Sequence, residues 1–404
     1  MKASTYPLVD AEVAARLVLE HTPVLGAEPV PLTGCPGRVL AEDLVAGYRL
    51  PPFPSSAVDG YAIRAADGGG RLHIVGESAA GRPFDGSLPA GAAARILTGG
   101  VLPDGADTVV MLEDAEIVGA EVVVPVGYPS GRNFHRPGAD LEAGEVVVRA
   151  GEQLGAAEIG LAASLGQPEL PVHRRPRVAL MSTGDELVEV GQKPGRGQIT
   201  DSNRWALAAA LHEAGADVRQ IGIGPDEPGP LRLLVEEALA TCDVLVTSGG
   251  VSVGTHDLVK PLLESLGEVH IGRVKLRPGK PFTFATLPAG RLAFGLPGFP
   301  VSSLVTFEVF VRPALRKMQG HSRLQRPTLP ARLGYDAKAA GDRTEYQRVR
   351  LSRQGDGLVA ETTGSQSSSR LMSMIGAQAL VRIPPGHEGI ARGTVVEALI
   401  LSLP

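Results

Sequence analysis

The stretch C-D-V-L-V-T-S-G-G-V-S-V-G-T-H-D, Cys242 to Asp257, followed by L-V-K-P-L-L-E-S-L-G to Gly267, decides how this chain is read. Its apolar run has the length of a buried strand, its loop carries Gly249, Gly250 and Gly254, and a helical pattern leaves it. Backbone N–H groups in such a loop can turn inward, and the helix N-terminus that follows favours negative charge, so the segment suits a phosphate or another oxyanion. Asp257 at the loop exit repels an anion unless a cation lies between them. That pairing points to a phosphorylated or oxyanionic ligand accompanied by a divalent metal.

Working outward, the same rhythm of strand, loop and helix recurs from Pro176. R-V-A-L-M-S (177–182) runs into T-G-D-E-L, and an Ala-rich helix spans Asn203 to Ala214. D-V-R-Q-I-G-I-G (217–224) reads as a second strand and residues 228–240 as a second helix. R-L-A-F-G-L (291–296) and a helix over 301–318 complete the series. Alternating elements of this kind imply a mainly parallel sheet wrapped by helices, with ligands at the carboxyl ends of the strands. The flanks differ. Residues 9–22 read as an amphipathic helix begun by Asp10, and residues 28–150 as short β runs with Gly and Pro punctuation. A helix is expected near 156–165, and after a linker beyond Gly320 the tail reads as a small β domain.

Composition narrows the function classes. A chain of 404 residues calls for roughly two to four domains. The net charge of −5 gives no bulk attraction to nucleic acid. Cys35 and Cys242 are too far apart in sequence to suggest a disulfide framework or a metal cluster. The N-terminus lacks the apolar core of a signal peptide, and no run of ~18 apolar residues offers a membrane span. A cytoplasmic enzyme or binding protein is expected, with neither nucleic acid nor membrane as partner.

Three strand-end loops carry acids: Asp185 with Glu186, Asp226, and Asp257. The strand-end rule makes them converge, and a hard cation such as Mg²⁺ relieves their repulsion; helix capping is the competing explanation for each. R-V-K-L-R-P-G-K-P (273–281) gathers Arg273, Lys275, Arg277 and Lys280. Strand alternation places the first three on one face, and Pro278–Gly279 turns Lys280 off it. They can hold phosphates or form a solvated basic edge. In L-P-G-F-P-V-S-S (296–303), Ser302 and Ser303 open a helix whose free donors suit a second anion, or simply cap a rigid turn. Asp59 precedes a Gly-Tyr turn, Thr98 adjoins two glycines, and residues 131–140 gather Arg132, His135, Arg136 and Asp140. No Ser-His-Asp or Cys-His arrangement stands out.

Taken together these motifs resemble the molybdopterin molybdenumtransferases, which include the C-terminal domain of gephyrin. The resemblance spans essentially the whole chain and rests on seven motifs in order: A-V-D-G-Y-A (57–62), R-I-L-T-G-G (95–100), R-P-G-A-D (136–140), S-T-G-D-E-L (182–187), T-S-G-G-V-S-V-G (247–254), R-P-G-K-P (277–281) and L-P-G-F-P-V-S (296–302). It implies a multidomain α/β plus β protein. Residues 1–26 and 141–175, with part of 44–53, would form an elongated helical dimerisation domain, and 27–140 a β-rich lid. Residues 176–326 would form an α/β parallel-sheet molybdopterin-binding domain, and 327–404 a small β-barrel-like domain.

The resemblance also implies a cytoplasmic homodimer that inserts molybdate into adenylylated molybdopterin with Mg²⁺ as cofactor, releasing AMP. It leaves the molybdopterin adenylyltransferase open as a partner. Asp59, Thr98, Asp140, Glu186, Asp226 and Asp257 fall on the family's functional positions, the first three of which approach a neighbouring subunit's cleft. Glu186, Asp226 and Asp257 would hold the metal. Ser248, Gly249, Gly250, Ser252, Gly254, Arg273, Lys275, Arg277, Lys280, Pro297, Gly298, Pro300 and Ser302 would bind substrate and anion, Lys275 being the weakest candidate. The sequence departs from the pattern at Phe299, where Asn is common, at His135 for Arg, at Ala139 for Glu, at Pro54 and Ser55 for Asp-Asn, and in Q-S-S-S-R-L-M-S-M (366–374). Alternatives are the adenylyltransferase activity, a molybdopterin-binding scaffold, and a tungstate-specific paralogue.

Overall fold

The structure is a computed structural model, and it describes residues 6–251, 258–338, 340–386 and 388–402. Two compact units divide the chain. One comprises Met1–Ala41, Gly151–Gly155 and Glu169–Pro404, the other Glu42–Ala150 and Ala156–Pro168.

In the larger unit a six-stranded sheet runs in the order Asp217–Gly224, Arg177–Thr183, Val244–Ser248, Arg291–Leu296, Thr283–Leu287, Glu268–Ile271. Its first four strands are parallel; the last two are joined by antiparallel pairings, so that Thr283–Leu287 alone runs against the rest, and they were not legible from the α/β rhythm. Val244–Ser248 is buried at every position, because a central parallel strand is covered on both faces. Alternation sorts the side chains into two layers. Val178, Leu180, Val244 and Val246 pack with Leu207, Leu211 and Phe310. Ala179, Met181 and Leu245 pack with Leu231, Val235 and Leu263 on the other side. Arg174 and Arg177 bind Asp243 at 2.7 and 3.2 Å, pinning the entrances of neighbouring strands.

The expected helix over 301–318 forms as Pro300–Thr306 and Arg312–Met318 joined by a π-helical turn, Phe307–Val311. Pro313 cannot donate a backbone hydrogen bond, and the widened turn just before it absorbs the mismatch.

Five strands close on themselves in the tail. Thr344–Gln354 pairs with Gly357–Thr362, then come Thr328–Leu333, Val395–Ile400 and Ala379–Ile383, which returns to Thr344–Gln354. Closure surrounds the core of Val349, Val381, Ile383 and Ala398, but the start of Thr344–Gln354 lies ahead of its pairing with Gly357–Thr362 and keeps one side open. One strand extends this sheet from outside. Val274–Arg277 pairs in parallel with Thr344 and Glu345, and Val9–Asp10 pairs with Val274 and Lys275. The basic segment, read from sequence as part of the α/β domain, therefore joins the C-terminal sheet. Asp10 occupies the cap position of helix Ala11–Glu20 without a side-chain capping bond; its carboxylate meets Lys275 at 3.1 Å instead.

The smaller unit holds a six-stranded sheet, Thr108–Met111, Gly60–Ile63, Ala92–Ile96, Gly70–Ser78, Glu121–Val124, Glu116–Val118, over a core of Tyr61, Ile63, Val110 and Val122. It also carries the helix Ala156–Ser164. No helix among the described residues is long and apolar enough to cross a membrane.

Candidate functional site

At the carboxyl ends of the parallel strands lies a cavity of about 780 Å³. It is lined by the turns after Thr183, Gly224 and Ser248, so Asp185, Glu186 and Asp226 line one cavity. Glu227, and not Asp226, holds the cap position of the next helix. Asp201 also lines the cavity, but it is buried and committed: it accepts from Arg204 Nε at 2.9 Å and Ser182 Oγ at 3.1 Å.

Close approach between neighbouring strand ends shapes this wall. Gly249 has φ +88°, and a Cβ there would lie 2.4 Å from the Thr183 carbonyl oxygen. Gly184 has φ +146°, and a Cβ there would meet the Glu186 carboxylate at 2.5 Å. Only glycine lets the Glu186 side chain fold back over its own turn. Asn203 Nδ2, at the first position of its helix, donates to Ser248 Oγ at 2.8 Å and to the Gly298 carbonyl at 2.7 Å. One side chain thereby ties the Gly249 turn to the Pro297–Pro300 turn. Thr183 Oγ1 is buried with no hydrogen-bond partner among the described residues.

The expected cradle is more committed than its sequence suggested. The Gly249 N–H donates to Leu296 O at 3.1 Å, and the Val301 N–H at the second helix start donates to Ser368 O at 3.1 Å. Ser303 Oγ donates to Pro297 O. These bonds fix the turns in place and leave neither of these two amides free for an anion.

Those charges line an adjoining cavity of about 890 Å³, which shares Glu186, Ile199, Pro281, Gly298 and Phe299 with the first. Arg277, Lys280 and Arg343 line it, with Ser302 and the serine loop Ser365–Ser368. Arg277 faces Glu345 at 3.8 Å. Burial pushes the Glu345 carboxyl up, against the pull of Arg277. Arg273 and Lys275 line neither cavity, and Lys275 is paired with Asp10.

Arg348 organises the serine loop from behind. It is fully buried, and it donates through Nε and Nη2 to Ser373 Oγ at 3.2 and 3.1 Å. Nη2 also reaches the carbonyls of Ser365 at 3.4 Å and Ser367 at 3.3 Å. The Gln366 side chain accepts from the Arg348 N–H at 2.9 Å and donates back to its carbonyl at 3.1 Å. Burial lowers the Arg348 guanidinium to about 10, which leaves it charged at neutral pH. Sequence reading missed Asn203, Arg343 and Arg348, and it marked the 366–374 stretch only as a departure from the family pattern. The cues were the D-S-N string before a helix and the serine run at 367–369.

In the smaller unit, Asp59 and Thr98 come together: the Thr98 hydroxyl and N–H both donate to Asp59 Oδ1 at 2.7 Å. The hydroxyl, then the amide, hold the Asp59 carboxyl below its ordinary value. Asp140 is exposed on a turn whose amides at Gly138 and Asp140 donate to Pro51 O and Leu50 O. His135 pairs in a short ladder with Ser55. Ser252, Gly254 and Asp257 lie outside the described residues. Among the described residues no three His, Cys, Asp or Glu side chains are grouped to hold a metal.

Three family descriptions match in order: the MoeA N-terminal region (domain I and II) over residues 9–166, a probable molybdopterin binding domain over 179–317, and the MoeA C-terminal region (domain IV) over 330–401. A molybdopterin molybdenumtransferase from Nostoc is 37% identical, covering 98% of this chain and 94% of its own length. The chain belongs to the molybdopterin molybdenumtransferase family. Dictyostelium discoideum gephyrin is 35% identical over 99% of this chain, which spans 63% of that protein. A solved molybdopterin biosynthesis MoeA protein from Pyrococcus horikoshii superposes with a TM-score of 0.86 at 34% identity, over 98% of this chain and 100% of that one. Membership in the molybdenumtransferase family makes this an enzyme of molybdenum cofactor biosynthesis, and it accounts for an α/β sheet joined to a closed β domain.

Proposed function

We propose that this enzyme inserts molybdate into adenylylated molybdopterin, with Mg²⁺-dependent release of AMP. The observation that carries the reading is the adjacency of a carboxylate cavity and a cationic cavity that share Glu186 and the Pro281, Gly298 and Phe299 wall. A substrate combining a pyrophosphate, a pterin and a metal oxyanion needs both kinds of surface side by side.

Arg277, Lys280 and Arg343 would hold the oxyanion through charge-assisted bonds, with the Ser302 and Ser365–Ser368 hydroxyls as further donors. Glu186 and Asp226 are hard oxygen donors that fit Mg²⁺, with the Thr183 hydroxyl, unpartnered among the described residues, in the same cavity lining and Asp257 as the proposed third acid. A Mg²⁺ ion held there would supply charge neutralisation for an anionic leaving group. Asn203 and Ser248 keep the wall between the cavities in register. The dithiolene sulfurs of the substrate ligate molybdenum themselves, so no protein nucleophile is required, in keeping with the absence of a triad from the sequence reading. Asp59, Thr98 and Asp140 are proposed as functional positions of the N-terminal half. A cytoplasmic homodimer formed through residues 1–26 and 141–175, served by a molybdopterin adenylyltransferase, completes the proposal.

The test is a single-turnover assay with adenylylated molybdopterin and molybdate, with and without Mg²⁺. AMP release matched by reconstitution of a molybdenum-free apoenzyme is expected only with Mg²⁺. Absence of AMP release in its presence overturns the reading.

A further inference from the structure

The Pro297–Pro300 turn is held rigidly. The Pro297 carbonyl accepts from Ser303 Oγ, the Gly298 carbonyl from Asn203 Nδ2, and the Phe299 carbonyl from the Ser303 N–H at 3.0 Å. The side chain this turn presents is the anomaly. Phe299 is 59% exposed, and among the described residues no other ring stacks on it. It stands in the lining shared by the carboxylate and cationic cavities. At the helix cap position, with φ −75° and ψ 131°, it makes no capping bond, although Asn or Ser there could. A phenyl ring offers nothing to an oxyanion, but its face suits a flat heteroaromatic ring.

We propose that Phe299 is a stacking platform for a planar heteroaromatic ring of the substrate, positioned so that the ligand's anionic groups reach the two cavities on either side. The inference takes the candidate rings, purine and pterin, from the function proposed above. It places the specificity for a ring on Phe299 and the specificity for oxyanions on Arg277, Lys280 and Arg343. A ligand bridging both cavities crosses this ring, and desolvation of the phenyl face adds affinity that charge alone cannot supply.

Isothermal titration of the full-length protein with AMP, neopterin and molybdate tests this in wild type, F299L, F299N and F299W. F299L keeps apolar bulk without a π face, F299N supplies a favourable cap residue, and F299W keeps the platform. Loss of roughly tenfold in affinity for one ring probe is expected in F299L and F299N, with F299W retaining it and molybdate affinity unchanged in all. Weakened AMP binding assigns the platform to adenine; weakened neopterin binding assigns it to the pterin. Wild-type affinity for both rings in F299L and F299N, or a wild type that binds neither ring, overturns the inference. Thermal melts close to wild type show that the variants fold. The single-turnover assay separates the two claims: AMP release with Phe299-independent ring binding sinks only the platform, whereas Phe299-dependent ring binding without molybdate-dependent AMP release sinks only the proposed reaction.

Discussion

The two adjoining cavities of the larger unit are built on opposite principles. The carboxylate cavity draws Asp185, Glu186 and Asp226 from loops that follow neighbouring parallel strands, so the sheet itself delivers them to one place. The cationic cavity draws Arg277 and Lys280 from a segment that has left the α/β sheet, and Arg343 and the serine loop from the closed β domain. The first is a property of one layer architecture. The second exists only because a four-residue strand, Val274–Arg277, pairs across to Thr344 and Glu345. The consequence is a division of labour: one half of the site is as robust as its sheet, and the other depends on a junction that single side chains can loosen.

The largest effect expected is on the carboxylate side. The double variant E186Q/D226N should lower Mg²⁺-dependent AMP release by about 10²- to 10³-fold, since neutral amides keep the shape but lose the charge. Molybdate affinity, read by titration, should stay near wild type; an equal loss there would mean that the two cavities are a single electrostatic unit. On the cationic side, R343A and K280A should each weaken molybdate binding by about tenfold at low ionic strength. That deficit should shrink with added salt. A salt-independent deficit would assign these residues to packing.

The junction is probed by R348M. Methionine fills much of the buried volume but leaves the Ser373, Ser365 and Ser367 acceptors without their donor, so stability should fall by about 1–3 kcal/mol, seen as a lower melting temperature with the fold retained. Molybdate affinity should still fall several-fold as the carbonyls of Ser365 and Ser367 lose their anchor. Unchanged affinity would show that the loop holds its shape without Arg348.

The strand entrances provide a control far along the chain from the cationic residues. Burial alone would raise the Asp243 carboxyl, but Arg174 and Arg177 hold it well below the usual carboxylate range. A carboxyl depressed in the folded state contributes stability that is complete above the unfolded value, about 3.9, and is lost as pH falls through the lower folded value. D243N should therefore cost about 1–2 kcal/mol at neutral pH, with both arginines partly exposed. Its stability should also fall less steeply than wild type below about pH 4 in denaturant titrations. The smallest effect is expected for D10N. Its ion pair with Lys275 is largely solvated and is worth at most about 1 kcal/mol. Molybdate binding should be untouched; a change would bring Lys275 into the cationic cavity.

Legibility followed the range of the interactions. Helix Asn203–Glu213 and strands Asp217–Gly224 and Arg291–Leu296 could be read nearly to the residue, because periodicity and Gly punctuation are local signals. Thr98 was recognised from its glycines, but its bonds to Asp59, 39 residues away, were not. Asn203 was read only as the start of a helix, since a donor that bridges Ser248 and Gly298 has no signature at its own position.

What this sequence determined by itself was the order of strands and helices and, through the strand-end rule, the gathering of Asp185, Glu186 and Asp226. Parallel strands joined by helices leave their following loops at one edge whatever the rest of the chain does. Tertiary structure alone decided which sheet took Val274–Arg277, and with it that Arg277 and Lys280 would line one cavity with Arg343 and the serine loop. A short strand can pair with any free edge of matching geometry. Its partner is selected by the closed β domain packed beside it and by the turn at Pro278–Gly279, and neither choice is encoded in the strand's own four residues.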